Sequence, residues 1–227
     1  MSAIDSKVNI EIDKNKVYHY LGYGTDHKPP ARVISLVNEY VDNSHHLIEP
    51  AYSYTVKNIE QVEGSTVFVE NSIVFRSQVI SQLLEQCCKV AVFIATIGNR
   101  LEEIACRLAE NGVVFQSAAL DAIGSNAVEG VVDLVQERIE ELANVQGFYT
   151  GQRFSPGYCD WDIDQQEMIF RAMDGNSAGT SLTKECLMIP RKSISGIIGI
   201  GPFNSNVKHY DPCETCDKHD CQNRRNV

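Results

Sequence analysis

The hexapeptide RFSPGY at 153–158 combines residue types that suit the recognition of an amino-acid carboxylate. Arg153 offers a planar fork of N–H donors that matches a carboxylate. Pro156 stiffens the chain, and Gly157 lets backbone amides approach a ligand without an intervening side chain. A tight turn whose arginine pairs with one of the 30 acidic side chains also fits these six residues. The hexapeptide alone therefore indicates either a binding loop or a structural turn.

A second cluster lies near the C-terminus, where Cys213, Cys216 and Cys221 fall within nine residues. Short turns bring thiolates at this spacing close enough to share a soft metal ion. Cys159 or a histidine is a candidate for the fourth ligand. The spacing fits both a structural zinc and an iron–sulfur cluster, and a tail of reduced thiols is the third interpretation.

The elements that must position these residues follow from hydrophobic periodicity. Alternating β-branched residues at 66–75 predict a hairpin that turns at Asn71-Ser72, and the apolar run at 90–98 predicts a buried strand. The apolar residues of 114–142 recur at helical spacing, with Gly124 and Gly130 marking either close packing or a break. Further helices are expected at 77–88, 99–110 and 164–173, strands at 185–189 and 195–200, and an ordered loop at 146–161.

These patterns predict an α+β fold in which an antiparallel β-sheet is flanked by long helices. The predicted organisation is an N-terminal arm and the start of the α+β domain at 1–65, a ligand-binding core at 66–203, and a cysteine-rich tail at 204–227. No internal repeat or obvious linker divides the chain further.

Three segments, in order, resemble the activation domain of cobalamin-dependent methionine synthase. The loop 153–158 is similar to the family's arginine, two variable residues and Pro-Gly-Tyr. The segment LTKECLMIPRKSISG at 182–196 resembles a Leu-Thr segment that leads into Met-x-Pro-x-x-Ser-x-Ser-Gly. The segment ALDAIGSNAVEGVVDLVQERI at 119–139 resembles the long family helix. The resemblance extends over roughly residues 90 to 203, and free-standing relatives share the YLGY and DAIGS elements.

The resemblance implies a site for S-adenosylmethionine. It assigns Arg153 to the methionine carboxylate of the ligand, and Glu129 to its ammonium or sulfonium charge. A solvated helix carboxylate is the alternative for Glu129. The loop would hold the nucleoside and β-strand residues would shape the adenine or ribose pocket; these are Ser155, Pro156, Gly157, Tyr158, Ser193, Ser195 and Gly196.

The resemblance also implies a function. A free-standing activation domain would bind S-adenosylmethionine and support reductive methylation of oxidised cobalamin on a corrinoid-binding protein or methionine synthase in trans. Flavodoxin or ferredoxin would supply the electron. The reduced cobalt is then the nucleophile, so this chain needs no catalytic side chain of its own and contributes positioning.

Composition restricts the alternatives. A formal charge of −10 repels nucleic acid and anionic lipid, and no apolar run or leader-like segment predicts membrane insertion or export, so we expect a cytoplasmic protein. A Rossmann methyltransferase would need a glycine-rich turn before a helix, but the glycines at 196–201 run into Pro202. An iron–sulfur electron-transfer or corrinoid-reducing subunit that uses the cysteine tail is the main alternative, and a regulatory module without methyl transfer is another.

Overall fold

The computed structural model describes residues 10–24 and 27–202, in which a six-stranded antiparallel sheet carries helices on both faces. The strands are β1 Ala51–Glu63, β2 Thr66–Val69, β3 Ile73–Arg76, β4 Lys89–Thr96, β5 Phe148–Phe154, β6 Ser181–Leu182, β7 Met188–Ile189 and β8 Ser193–Pro202. The helices are α1 Lys14–Tyr20, α2 Ala31–Ser44, α3 Gln78–Leu84, α4 Arg100–Glu110, α5 Val114–Val145 and α6 Gln166–Ala172, with a 3₁₀ turn at Ile163–Gln165. The predicted α+β fold is confirmed.

The strand order β3-β2-β1-β4-β8-β5 places β4 near the centre of the sheet. β4 pairs along its whole length with β1 and with β8, so that Ile94 lies opposite both Ser53 and Ser195. Because both of its faces are covered, almost every residue of β4 is buried and apolar. The pairing of β1 with β4 also means that residues on both sides of position 65 belong to one sheet. β6 and β7 form a separate two-stranded ribbon.

The sheet separates two apolar cores, because successive side chains of a strand point to opposite faces. On one face, Phe93 and Ile198 belong to a core that includes residues of α1, α2, α4 and α5. On the other face, Ile94 and Ile197 pack with α3, α6 and the buried Trp161. Anything bound between α5 and the edge of the sheet therefore lies on the first face.

The long helix α5 extends without interruption through Gly124 and Gly130. A Cβ atom at Gly124 would lie 2.9 Å from Leu101 Cδ2, and one at Gly130 would lie 2.9 Å from Ile10 Cγ2. Both glycines therefore mark close packing rather than a break. The first brings α4 against α5, and the second brings the N-terminal segment against it.

Most of the predicted elements are confirmed. Asn71 and Ser72 adopt positive φ values of 65° and 60° in the hairpin turn, and Ser77 caps α3 by accepting a hydrogen bond from the Ile80 amide. The loop predicted at 146–161 is wrong in its first half, where β5 pairs with β8 at the sheet edge. Only Met188–Ile189 of the strand expected at 185–189 forms, and α2 and β1 lie in a region for which the sequence analysis predicted no element.

Among the described residues, no helix is both long enough and apolar enough to span a bilayer. The cysteine-rich tail predicted at 204–227 lies outside these residues.

Candidate functional site

Arg153, near the end of β5, contacts one face of α5 through three hydrogen bonds. Its Nη2 donates to Glu129 Oε2 at 2.8 Å, and its Nη1 donates to Asp133 Oδ1 at 2.6 Å and to Gln136 Oε1 at 3.2 Å. Residues at these spacings lie on the same side of a helix. The guanidinium is therefore held in a fixed orientation along α5, and two residues from the sequence prediction, Arg153 and Glu129, are in direct contact.

Arg153 and its α5 partners Glu129, Asp133 and Gln136 form the Arg153 cluster, which is accessible to a ligand. The side chains of Arg153, Glu129 and Asp133 are 30%, 36% and 50% exposed. The three hydrogen bonds to α5 use three of the five N–H donors of a guanidinium, and the other two have no partner among residues 10–24 and 27–202. Two carboxylates around one guanidinium leave a local surplus of one negative charge. The cluster can thus attract a cation and still offer N–H groups to an anion.

The loop that follows Arg153 is fastened to the start of α3. The Asp160 carboxylate accepts hydrogen bonds from Ser77 Oγ at 2.7 Å and from the Gln78 and Val79 amides at 2.5 and 3.3 Å. Partial burial would raise the pKa of Asp160, but these hydrogen bonds outweigh it and hold the pKa below its usual value. Asp160 therefore satisfies amides that the helix itself leaves unpaired.

Aromatic packing in the core also holds the same loop in place. Trp161 is 1% exposed, stacks on Phe154 with ring centroids 6.2 Å apart and meets Phe75 edge-on at 5.6 Å. The Gly157 amide donates to the Trp161 carbonyl at 2.7 Å in a turn where Gly157 has a φ of 93°. This conformation favours glycine. The ordered loop predicted here is present from residue 155 onward, and it leaves Tyr158 53% exposed.

Tyr20 lies at the same site, although no sequence motif predicted a role for it. It is the last residue of α1, a helix that packs on α5 through the buried Val17. Partial burial, the Glu129 carboxylate and the Tyr158 phenol raise the pKa of Tyr20, in that order of size. The one sequence feature that includes Tyr20 is the YLGY element, and its position against α5 depends on tertiary packing.

The predicted site residues Ser193 and Ser195 of β8 do not contact the Arg153 cluster. Ser195 Oγ is buried and hydrogen bonds to Gln166 Oε1 of α6, on the sheet face opposite α5. Ser193 Oγ donates to the Pro190 carbonyl at 2.6 Å and lies 2.8 Å from Thr96 Oγ1. Both hydroxyls thus have partners within the protein, and the structure does not bring Ser195 together with the Arg153 cluster. Their contact with a nucleoside stays a prediction.

Gly196 allows β5 to approach β8. A Cβ atom at this position would lie 2.6 Å from the Phe154 carbonyl oxygen and 2.9 Å from Phe93 Cζ. Any larger residue would have to displace the strand that carries Arg153. Gly196 therefore has a positional role at the site whether or not it touches a ligand.

The cysteines divide into three groups. Cys213, Cys216 and Cys221 lie outside the described residues, and their metal site stays a prediction. Cys159 is partly buried, and the described part of the chain contains no group of three or more His, Cys, Asp or Glu side chains that could hold a metal ion.

Cys87, Cys88, Cys106 and Cys186 lie in apolar sequence patterns, where cysteine is expected to behave as a small buried hydrophobe. That expectation is confirmed for Cys87 and Cys186 and wrong for Cys88 and Cys106, which are exposed. Burial, and then the neighbouring Cys88, raise the pKa of Cys87 to about 12, which keeps its thiol protonated at neutral pH.

Comparison with known proteins decides the family. The family described as vitamin B12 dependent methionine synthase, activation domain, matches residues 79–224, which is more than half of the chain. The chain belongs to this family. The match includes β4, α5, the Arg153 loop and β8, whereas α1 and Tyr20 lie before it.

A solved structure shares the fold of this activation-domain protein. The crystal structure of the MetH reactivation domain bound to AdoHcy superposes with a TM-score of 0.70 at 16% sequence identity, and the match covers 93% of this chain and 81% of that chain. At this identity the likeness establishes the fold. No curated protein sequence matches the chain.

Proposed function

We propose that this activation-domain protein binds S-adenosylmethionine between α5 and the loop at 153–158, and that it presents the methyl group to a cobalamin carried by a partner protein. Family membership supports a role in reactivation, and the similar fold of a reactivation domain bound to AdoHcy supports a ligand of this class. The observation that carries the proposal is the guanidinium of Arg153 held beside Glu129 and Asp133.

The charges of the site and the ligand are complementary. S-adenosylmethionine carries one carboxylate, one ammonium and one sulfonium, and therefore has a net positive charge near neutral pH. Arg153, Glu129 and Asp133 together have a net negative charge. The two N–H groups of Arg153 that α5 does not use would receive the ligand carboxylate, and Glu129 would lie near the ammonium or the sulfonium.

The loop would hold the nucleoside with little loss of entropy. Asp160 and Trp161 already fix its backbone, so few bonds have to be ordered when a ligand binds. In this proposal the loop contacts are made by Ser155, Pro156, Gly157 and Tyr158. From β8, Ser193 and Gly196 would shape the pocket, whereas Ser195, on the opposite face of the sheet, takes no part in it.

The proposed role of the chain is to bind and orient the ligand. The partner's cobalamin is the methyl acceptor in this proposal: after one-electron reduction from its Co(II) state by the electron donor, it would accept the methyl group from the sulfonium and leave S-adenosylhomocysteine. Arg153 and Glu129 would fix the amino-acid end of the ligand, and the loop would fix the nucleoside, so that the methyl group faces outward. No proton has to move in this transfer, so the proposal assigns no catalytic base to the chain.

The proposal includes partners and a compartment. The cobalamin would belong to a corrinoid-binding protein or to methionine synthase acting in trans, and flavodoxin or ferredoxin would supply the electron. The net charge of −10 disfavours nucleic acid as a partner. We place the protein in the cytoplasm, where such electron donors operate.

The test is a calorimetric titration of the protein with S-adenosylmethionine. Arg153→Ala should weaken binding by about 1.5 to 3 kcal/mol, because a charge-assisted hydrogen bond to the ligand carboxylate is lost. Arg153→Lys should recover only part of this loss, since an ammonium group lacks the planar fork.

The matched control is Arg138→Ala, which removes an arginine from the exposed surface of α5, where it pairs with Glu141 at 3.3 Å. This variant should bind like the wild-type protein. Equal affinities for the wild-type and Arg153→Ala proteins, with unchanged melting temperatures, would exclude Arg153 from the binding site.

A further inference from the structure

The N-terminal arm contributes a large aromatic side chain to the Arg153 site. Residues 10–20 of this arm, which include α1, contact α5 or the core beneath it at three points: the Asp13 amide donates to Asn126 Oδ1 at 2.8 Å, Val17 is fully buried in the core, and Ile10 packs over Gly130. Asn126 and Gly130 bracket Glu129 on α5. The arm is therefore fixed to the stretch of α5 that carries Glu129.

Tyr20 projects from the end of this arm at the surface. It follows Val17 by three residues and so lies on a neighbouring part of the same helix face. It is 49% exposed, and Tyr158 of the loop is 53% exposed. The Tyr20 hydroxyl is close enough to Glu129 and Tyr158 for both groups to act on it electrostatically. Two half-exposed aromatic side chains thus lie in the neighbourhood of Glu129, and the described residues leave about half of each uncovered.

We propose that Tyr20 is a ligand-contacting residue that, together with Tyr158, covers the sulfonium of S-adenosylmethionine beside Glu129. This inference rests on the proposed function and extends it to a residue outside the family match at 79–224. The face of an aromatic ring attracts a cation, and a sulfonium is a soft cation with attached carbon atoms that can lie on such a face. The product of methyl transfer is a neutral thioether and gains nothing from this attraction. Tyr20 therefore favours the methyl donor over the spent product.

The test compares two ligands on two variants by calorimetry. Tyr20→Leu should weaken binding of S-adenosylmethionine by about 2- to 30-fold, because the cation–π contribution disappears, and should change binding of S-adenosylhomocysteine by less than about 2-fold. Tyr20→Phe keeps the ring and should stay within about 2-fold of the wild-type protein for both ligands. His19→Leu is the matched control, since it changes the adjacent exposed residue of α1.

Each outcome decides the inference. Wild-type affinity of Tyr20→Leu for S-adenosylmethionine would overturn it, and equal losses for both ligands would overturn the assignment to the sulfonium. A loss in His19→Leu of the same size as in Tyr20→Leu would attribute the effect to the helix end instead. If the wild-type protein binds neither ligand, the proposed function itself fails, whereas retained binding that depends on Arg153 but not on Tyr20 removes only this inference.

Discussion

At Arg153, a single side chain links the edge of the sheet to the long helix. Arg153 and Glu129 could be predicted from the sequence as candidate ligand contacts, a role that stays a prediction for both. Their direct pairing could not, because it depends on how β5 lies against α5. Tyr20 is more than one hundred residues away from Glu129 in sequence, and only the docking of α1 brings them together. Site residues within a motif are thus easier to predict than those contributed by a distant segment.

Asp160 is the residue whose charge should stabilise the loop. Asp160→Ala should lower the free energy of unfolding at pH 7 by about 1 kcal/mol, the usual loss when a side chain that caps a helix is removed. The folded-state pKa of Asp160 is lowered, so its contribution is present above the unfolded-state pKa of roughly 3.9 and is lost as the pH falls through the folded-state value. Urea unfolding between pH 7 and pH 3 measures the difference between the two proteins.

The control for Asp160 is Asp42→Ala on the exposed surface of α2, which should change the free energy of unfolding by less than about 0.5 kcal/mol. A difference between the Asp160→Ala and wild-type proteins that stayed constant down to pH 3 would show that the carboxylate charge does not act as described.

At the scale of elements, the contact between β5 and β8 positions the guanidinium. Gly196→Ala would place a methyl group 2.6 Å from the Phe154 carbonyl oxygen and force the two strands apart. We expect a loss of about 1 to 3 kcal/mol in the free energy of unfolding, as for other overpacked sites, and weaker binding of S-adenosylmethionine.

Chemical denaturation and calorimetry of the same samples measure both effects of Gly196→Ala. Gly24→Ala is the control, because no atom of the described residues lies within 4 Å of a Cβ atom there. Unchanged stability and affinity in Gly196→Ala would mean that the strands adjust without moving Arg153.

The elements that could be predicted from the sequence are those with a regular hydrophobic pattern or clear turn residues. The helical period of α5 and the turn residues of the β2-β3 hairpin were sufficient to predict both elements. β1 was missed, since its burial pattern is irregular and its register shifts between Ile59 and Gln61. The segment 146–161 predicts a loop because it is rich in Gly, Pro and aromatic residues, but its first half forms β5, a sheet-edge strand that tolerates Gly151 in its interior. α2 did carry a readable signal, with Val33, Val37 and Val41 buried along one face.

At the scale of the whole molecule, the sheet separates two apolar cores, one on each of its faces. Its alternating side chains could be predicted from the sequence, and so could the α+β class. The order of its strands could not, because β4 pairs with β8 across about a hundred residues of intervening chain. That pairing puts α5, α1 and Arg153 on one side of the sheet and α6 with Ser195 on the other. The proposed ligand site is therefore confined to one face of the sheet. It includes residues of the N-terminal arm as well as residues of the family match at 79–224.

A crystal structure of the protein grown with saturating S-adenosylmethionine tests the account most directly. We predict that the ligand carboxylate lies within hydrogen-bonding distance of Arg153 and that its sulfonium lies beside Glu129. A donor bound at the opposite face near Ser195 and α6, or no bound donor at all, would contradict the account.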